Sequence, residues 1–169
     1  CYAYRSWKVF AEKYGKNNNV KLIKAGVGGT PSELGMIRFE RDVLRDGKEK
    51  PDLVIVEFAV NDEGDETKGR CYESLVTKIL SMPDAPAVLL LFAVFANDWN
   101  LQERLAPVGE RYQLPMVSIR DAVTPQFQQT KDRVVSKNQF FYDAFHPTNL
   151  GHKIMADCLM YLIDRAVCE

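Results

Sequence analysis

Leu53-Val54-Ile55-Val56-Glu57-Phe58-Ala59-Val60 is a nearly unbroken apolar run that opens after Pro51-Asp52 and stops at Asn61-Asp62. Such continuity marks a parallel strand buried on both faces, because a strand with one wet face would alternate. A second run of the same kind spans residues 87–95 and stops at Asn97-Asp98-Trp99. Shorter strands are predicted over residues 20–25, which lead into Gly26-Val27-Gly28-Gly29-Thr30-Pro31-Ser32, and over residues 114–119. Between these runs the apolar residues recur at helical spacing. Helices are predicted over 4–14, where Trp7, Phe10, Ala11 and Tyr14 are in phase, and over 33–44, with Thr30 or Ser32 as cap. Further helices are predicted over 68–81, 101–112 and 148–166, and residues 121–136 read as irregular or partly helical.

Strands that alternate with helices predict an α/β fold built on a parallel sheet covered on both faces. Ligands of such sheets bind outside the carboxyl ends of the strands. The turns at 26–29, 61–62 and 97–99 all follow strands, so the rule predicts that they share that edge. Asn97 and Trp99 are therefore candidate substrate-binding residues, with half-buried packing as the other reading of the tryptophan. Glu57 interrupts a buried strand and needs a partner, for which Arg38 on the preceding helix is available.

The chain has only two histidines, and the first lies in Asp143-Ala144-Phe145-His146, followed by Pro147. Proline disfavours helix at the residue before it, so a turn is predicted there. A turn would let Asp143 accept from one imidazole nitrogen and direct the other toward a nucleophile. The same four residues also suit a loop aspartate beside a helix-capping histidine. His152 follows Gly151 at a helix start and reads as structural. The two histidines could share a metal, but no third ligand has suitable spacing.

Composition sets the outer bounds. The 169 residues are 46% hydrophobic and 27% charged, and 22 basic residues against 23 acidic ones give a net charge of -1. That describes one globular domain with a real core and gives no call for nucleic acid or an anionic membrane surface. No apolar run approaches the length of a membrane span. Cys1, Cys71, Cys158 and Cys168 are scattered, with neither metal spacing nor a dense disulfide framework, which favours a reducing, cytoplasmic compartment.

Taken together, the glycine turn Gly26 to Thr30, the strand-end Ala59-Val60-Asn61-Asp62 and Asp143 to His146 resemble three of the four motifs of the SGNH (GDSL-type) hydrolase family, in the family's order. The resemblance covers essentially the whole chain. It implies a flavodoxin-like, three-layer αβα fold and acyl transfer through a serine ester. It also implies His146 as base, Asp143 as its orienting carboxylate, and Gly29 (backbone N–H) and Asn61 (side-chain amide) as the oxyanion hole, with no metal or organic cofactor. Among relatives the chain resembles bacterial carbohydrate esterases that remove acetyl groups from plant polysaccharides.

Two departures stand out. Ala59 occupies the usual glycine position, and no Gly-Asp-Ser occurs. By resemblance, the nucleophile and its strand, interior to the sheet, lie upstream of Cys1, in an N-terminal segment or a companion chain. Residues 1–169 are thus expected to be a single, N-terminally incomplete domain, inactive alone. Ser6 opens a helix and reads as a cap. A dinucleotide-binding turn fails, because Pro31 stands at the third glycine position. A catalytically inactive binding module of the same fold is the alternative.

Overall fold

The computed structural model describes residues 1–16 and 19–168. Their contacts divide into two compact units that interleave along the sequence: Cys1–Ile23, Val94–Trp99 and Ile119–Glu169 form one, and Lys24–Ala93 with Asn100–Ser118 the other.

The second unit carries the sheet. Strands β1 (Leu53–Val56), β2 (Ala87–Phe92) and β3 (Met116–Ser118) are parallel, in that order. Leu53 stands opposite Ala87 and Val56 opposite Leu90, while Leu90 is in turn opposite Met116. A parallel pair needs a long crossover, and here helices supply it. In chain order, α1 (Tyr2–Tyr14) belongs to the first unit, and the second unit holds α2 (Ser32–Asp42), α3 (Arg70–Leu80) and α4 (Gln102–Arg111). Helices α3 and α4 connect β1 to β2 and β2 to β3. Val56, Tyr72, Val76, Ile79, Leu90 and Leu105 form one buried cluster. Burying each of its aliphatic side chains contributes roughly 1.5–3 kcal/mol.

Three expectations are corrected here. Residues 20–25 form no strand. They are extended-type sequence, but a strand exists only where a neighbour accepts its backbone bonds. Leu53–Val56 is less buried than its composition predicts: Leu53 is exposed, because β1 lies at the end of the three-stranded sheet and only β2 pairs with it among the described residues. The tract after β3, expected to be irregular or partly helical, is partly helical as expected. It passes directly into helix α5 (Ile119–Gln128), which tolerates Pro125 near its end. Glu57 does not pair with Arg38, whose guanidinium bonds Asp42 one helical turn along α2.

The first unit comprises α1, α5, α6 (Lys137–Phe140) and α7 (Asn149–Cys168). Helices α1 and α7 pack along each other, with the Tyr14 hydroxyl donating to Asp164 at 2.6 Å and Lys13 beside the same carboxylate. Ser136 and Gln139 close a reciprocal capping box at the start of α6. Thr148 caps α7, its Oγ1 accepting from Gly151 N–H at 3.1 Å. Ser6 donates to Tyr2 O within α1, which is a helix-internal role. Among the described residues, no helix is long and apolar enough to cross a membrane. Cys1, Cys71 and Cys158 are free thiols, and Cys168 lies outside the described side chains.

Gly151 is where α7 meets the segment before it. A Cβ there would lie 2.3 Å from the Phe140 carbonyl oxygen and 2.8 Å from Pro147 Cβ. Neither is the free end of a flexible side chain. Gly151→Ala is therefore expected to destabilise the protein by about 1–3 kcal/mol, although alanine favours helix. A urea midpoint at or above that of the parent would contradict this close approach.

Candidate functional site

The candidate site is built on a short hairpin in the first unit. Phe141 bridges Pro147 in antiparallel fashion, Tyr142 N–H donates to His146 O at 3.1 Å, and Thr148 N–H donates to Phe140 O at 2.7 Å. Proline suits the bridge because it contributes no N–H there. Below the hairpin, Phe140 and Phe141 are buried and meet Phe127 at ring-centroid distances of 5.8 and 6.0 Å.

At the tip, one carboxylate organises everything. Asp143 Oδ1 accepts the backbone N–H groups of Phe145 and His146, both at 2.7 Å. Its Oδ2 lies 2.9 Å from His146 Nδ1. The bond from His146, then the Phe145 N–H, holds the Asp143 carboxyl below the usual carboxylate range. An ionised carboxylate at Nδ1 fixes the proton on that nitrogen, so Nε2 of the neutral ring is left as the base. Among the described residues Nε2 has no hydrogen-bond partner.

A second turn is tied to this tip within the same unit: Ala96 N–H donates to Ala144 O at 3.0 Å. The second turn is closed by Phe95 N–H to Trp99 O at 3.0 Å, with Asp98 in the left-handed region, and Asn97 Oδ1 accepts Trp99 N–H at 3.2 Å. Asn97 thus shapes its own loop. His152 stands near the Tyr2 ring, and burial holds its imidazole below the usual range.

Gly29 and Asn61 belong to the other unit. Gly28 and Gly29 form a tight turn with Gly29 at φ +71, a conformation that glycine reaches without strain, and Thr30 Oγ1 donates back to Val27 O at 2.7 Å. A Cβ added at Gly29 would meet nothing within 4 Å, so the positive φ, not crowding, is what calls for glycine there. Asn61 sits in a turn where Phe58 O accepts the N–H groups of Asn61 and Asp62. The fully buried Asp62 joins the two turns, its Oδ1 accepting Ser32 N–H at 2.6 Å at the start of α2. Arg104 donates to the Asp62 carbonyl at 2.9 Å. Asp62 carries no sequence signal for this role beyond its place beside Asn61, since Ser32 is 30 residues away. The aromatic residues Phe95, Tyr142 and Phe145 are equally silent in the sequence, because only the fold gathers them.

Glu57 is partly exposed as a residue, but its Oε1 is enclosed and lacks a partner. Burial, with the Asp62 charge adding and the Ala59 N–H opposing, pushes its carboxyl up to about 7. The folded protein therefore keeps a proton that the unfolded chain releases near pH ~4.3. Stability from this group is full below that point and is lost as pH rises toward neutrality. Glu57→Gln is expected to flatten this decline and to raise stability near pH ~8 by about 1–3 kcal/mol. Urea titrations at several pH values check it; curves for variant and parent that run parallel would refute the buried-proton account.

Comparison with known proteins gives these features a family. The sequence profile of the GDSL-like lipase/acylhydrolase family matches residues 1–154. No curated protein matches the chain. A solved two-domain esterase active on acetylated mannans superposes with a TM-score of 0.89 at 33% identity, covering 100% of this chain and 44% of the esterase; it has also been crystallised with mannopentaose. The chain thus spans less than half the length of that protein. An acetyl xylan esterase, at 18% identity and a TM-score of 0.72 over 95% of this chain and 89% of its own, shares the fold. So does a protein of the G-D-S-L family from Desulfitobacterium hafniense, at 14% identity and a TM-score of 0.67 over 95% of this chain and 87% of its own. These esterases carry the SGNH, flavodoxin-like parallel α/β fold, and the chain belongs to the GDSL-like lipase/acylhydrolase family.

Proposed function

We propose that the protein is a serine esterase that removes acetyl groups from a polysaccharide of the mannan type. The observation that carries the reading is the His146–Asp143 contact, which prepares Nε2 as a base in a chain of this family. The likeness to the acetylated-mannan esterase supports the substrate class.

In this reading a serine contributed by an N-terminal segment or a companion chain gives its proton to His146 Nε2 as its oxygen attacks the acetyl carbonyl. The tetrahedral oxyanion takes hydrogen bonds from Gly29 N–H and the Asn61 amide. Collapse breaks the carbon–oxygen bond to the sugar, and the imidazolium returns the proton to the departing sugar hydroxyl. Water then attacks the acetyl-serine with His146 again as base, releasing acetate and restoring the serine. Asp143 stays ionised throughout, orienting the ring and stabilising its charged form.

The test is turnover of acetylated manno-oligosaccharides and p-nitrophenyl acetate. His146→Ala is expected to lower kcat by about 100- to 10,000-fold, and Asn61→Ala by about 100- to 1,000-fold with little change in KM. Undiminished turnover in His146→Ala would sink the mechanism. A folded protein that turns over neither ester but retains oligosaccharide would instead favour the non-catalytic binding module.

A further inference from the structure

Beside the Asp143–His146 pair lies a group of aromatic side chains that core packing does not account for. Tyr142 is 67% exposed and Phe145 56% exposed. Phe95 is the common floor: Trp99 stacks on it with ring centroids 5.4 Å apart and planes 20° from parallel, and Phe145 meets it edge-on at 5.0 Å. Tyr142 stacks on the His146 ring itself, 5.6 Å away and within 16° of parallel, and Phe145 reaches the same imidazole from another side at 6.3 Å. Both turns that carry these rings are locked together by the Ala96–Ala144 backbone bond. Aromatic side chains gathered into one exposed patch beside a base, rather than scattered singly, mark a candidate interaction site.

We propose that Phe95, Trp99, Tyr142 and Phe145 form a stacking platform for a pyranose ring of the polysaccharide whose ester is cleaved at His146. This rests on the esterase reading above and deepens it. A flat aromatic ring matches the apolar C–H face of a pyranose, while the sugar's hydroxyls point outward to polar partners. The surroundings fit that division: Asn97 and Asp98 are exposed at the rim beside Trp99. A slot for a long acyl chain would instead be enclosed and apolar all round.

The protein and its variants are compared on acetylated manno-oligosaccharide and on p-nitrophenyl acetate, and mannopentaose binding is followed by tryptophan fluorescence. Phe145→Ala is expected to lower the ratio of kcat/KM for oligosaccharide over p-nitrophenyl acetate by about tenfold, through KM, as loss of one stacked ring implies. Phe145→Leu, which keeps apolar bulk without a flat face, is expected to share most of that loss. Tyr161→Ala, exposed on α7, serves as the distant control and should leave the ratio alone. The proposal is overturned if Phe145→Ala leaves both the ratio and the fluorescence titration unmoved while the esters are still turned over. It is also overturned if the variant loses selectivity for p-nitrophenyl octanoate over acetate instead, which would make the patch an acyl site. Absence of turnover with binding that Phe145→Ala abolishes would leave the platform standing and remove the esterase reading.

Discussion

Three N–H groups converge on the carboxylate of Asp143, two from the backbone of Phe145 and His146 and one from the imidazole. The two backbone bonds fold the turn, and the third sets the ring within it. Without the carboxylate, the tip of the hairpin would lose two backbone bonds and the histidine its tautomer together. Charged acceptors make hydrogen bonds about twice as strong as neutral ones, so a solvent-facing loop can be fixed by a single side chain. The arrangement is further held by Phe140 and Phe141 below and by the close approach of Gly151 from α7.

The other unit uses the same device in a buried setting. Asp62 accepts the first N–H of α2 and thereby ties the turn after Gly29 to the turn at Asn61. Its own burial raises its carboxyl above the usual range, and the Ser32 N–H offsets part of that cost. Nearby, Glu57 and the Tyr72 hydroxyl are enclosed with atoms that lack partners among the described residues, so this region is polar and costly rather than inert core. Such expense is tolerated where positioning matters more than stability.

The sequence made some of this legible and hid the rest for a physical reason. Local periodicity located α1, α2, α3, α4 and α7 and the two main strands, because their burial pattern is written within ten or twenty residues. The Asp143–His146 turn was legible too, since carboxylate, ring and proline are neighbours in the chain. Residues 20–25 read as a strand because propensity speaks only of the residue, whereas a strand is a property of pairs. Residues 121–136 read as irregular or partly helical, and α5 supplies the helical part. The Asp62–Ser32 bond and the gathering of Phe95 with Phe145 join residues 30 or more positions apart, and no local pattern carries them.

The central claim is that His146 and Asp143 serve a serine in ester hydrolysis. It is tested most directly by treating the protein with a diethyl p-nitrophenyl phosphate probe and solving the structure of the adduct. The expected result is phosphorus bonded to a serine oxygen, with His146 Nε2 within hydrogen-bond reach. A protein that turns over acetyl esters yet carries the label elsewhere, or remains unlabelled, would contradict it.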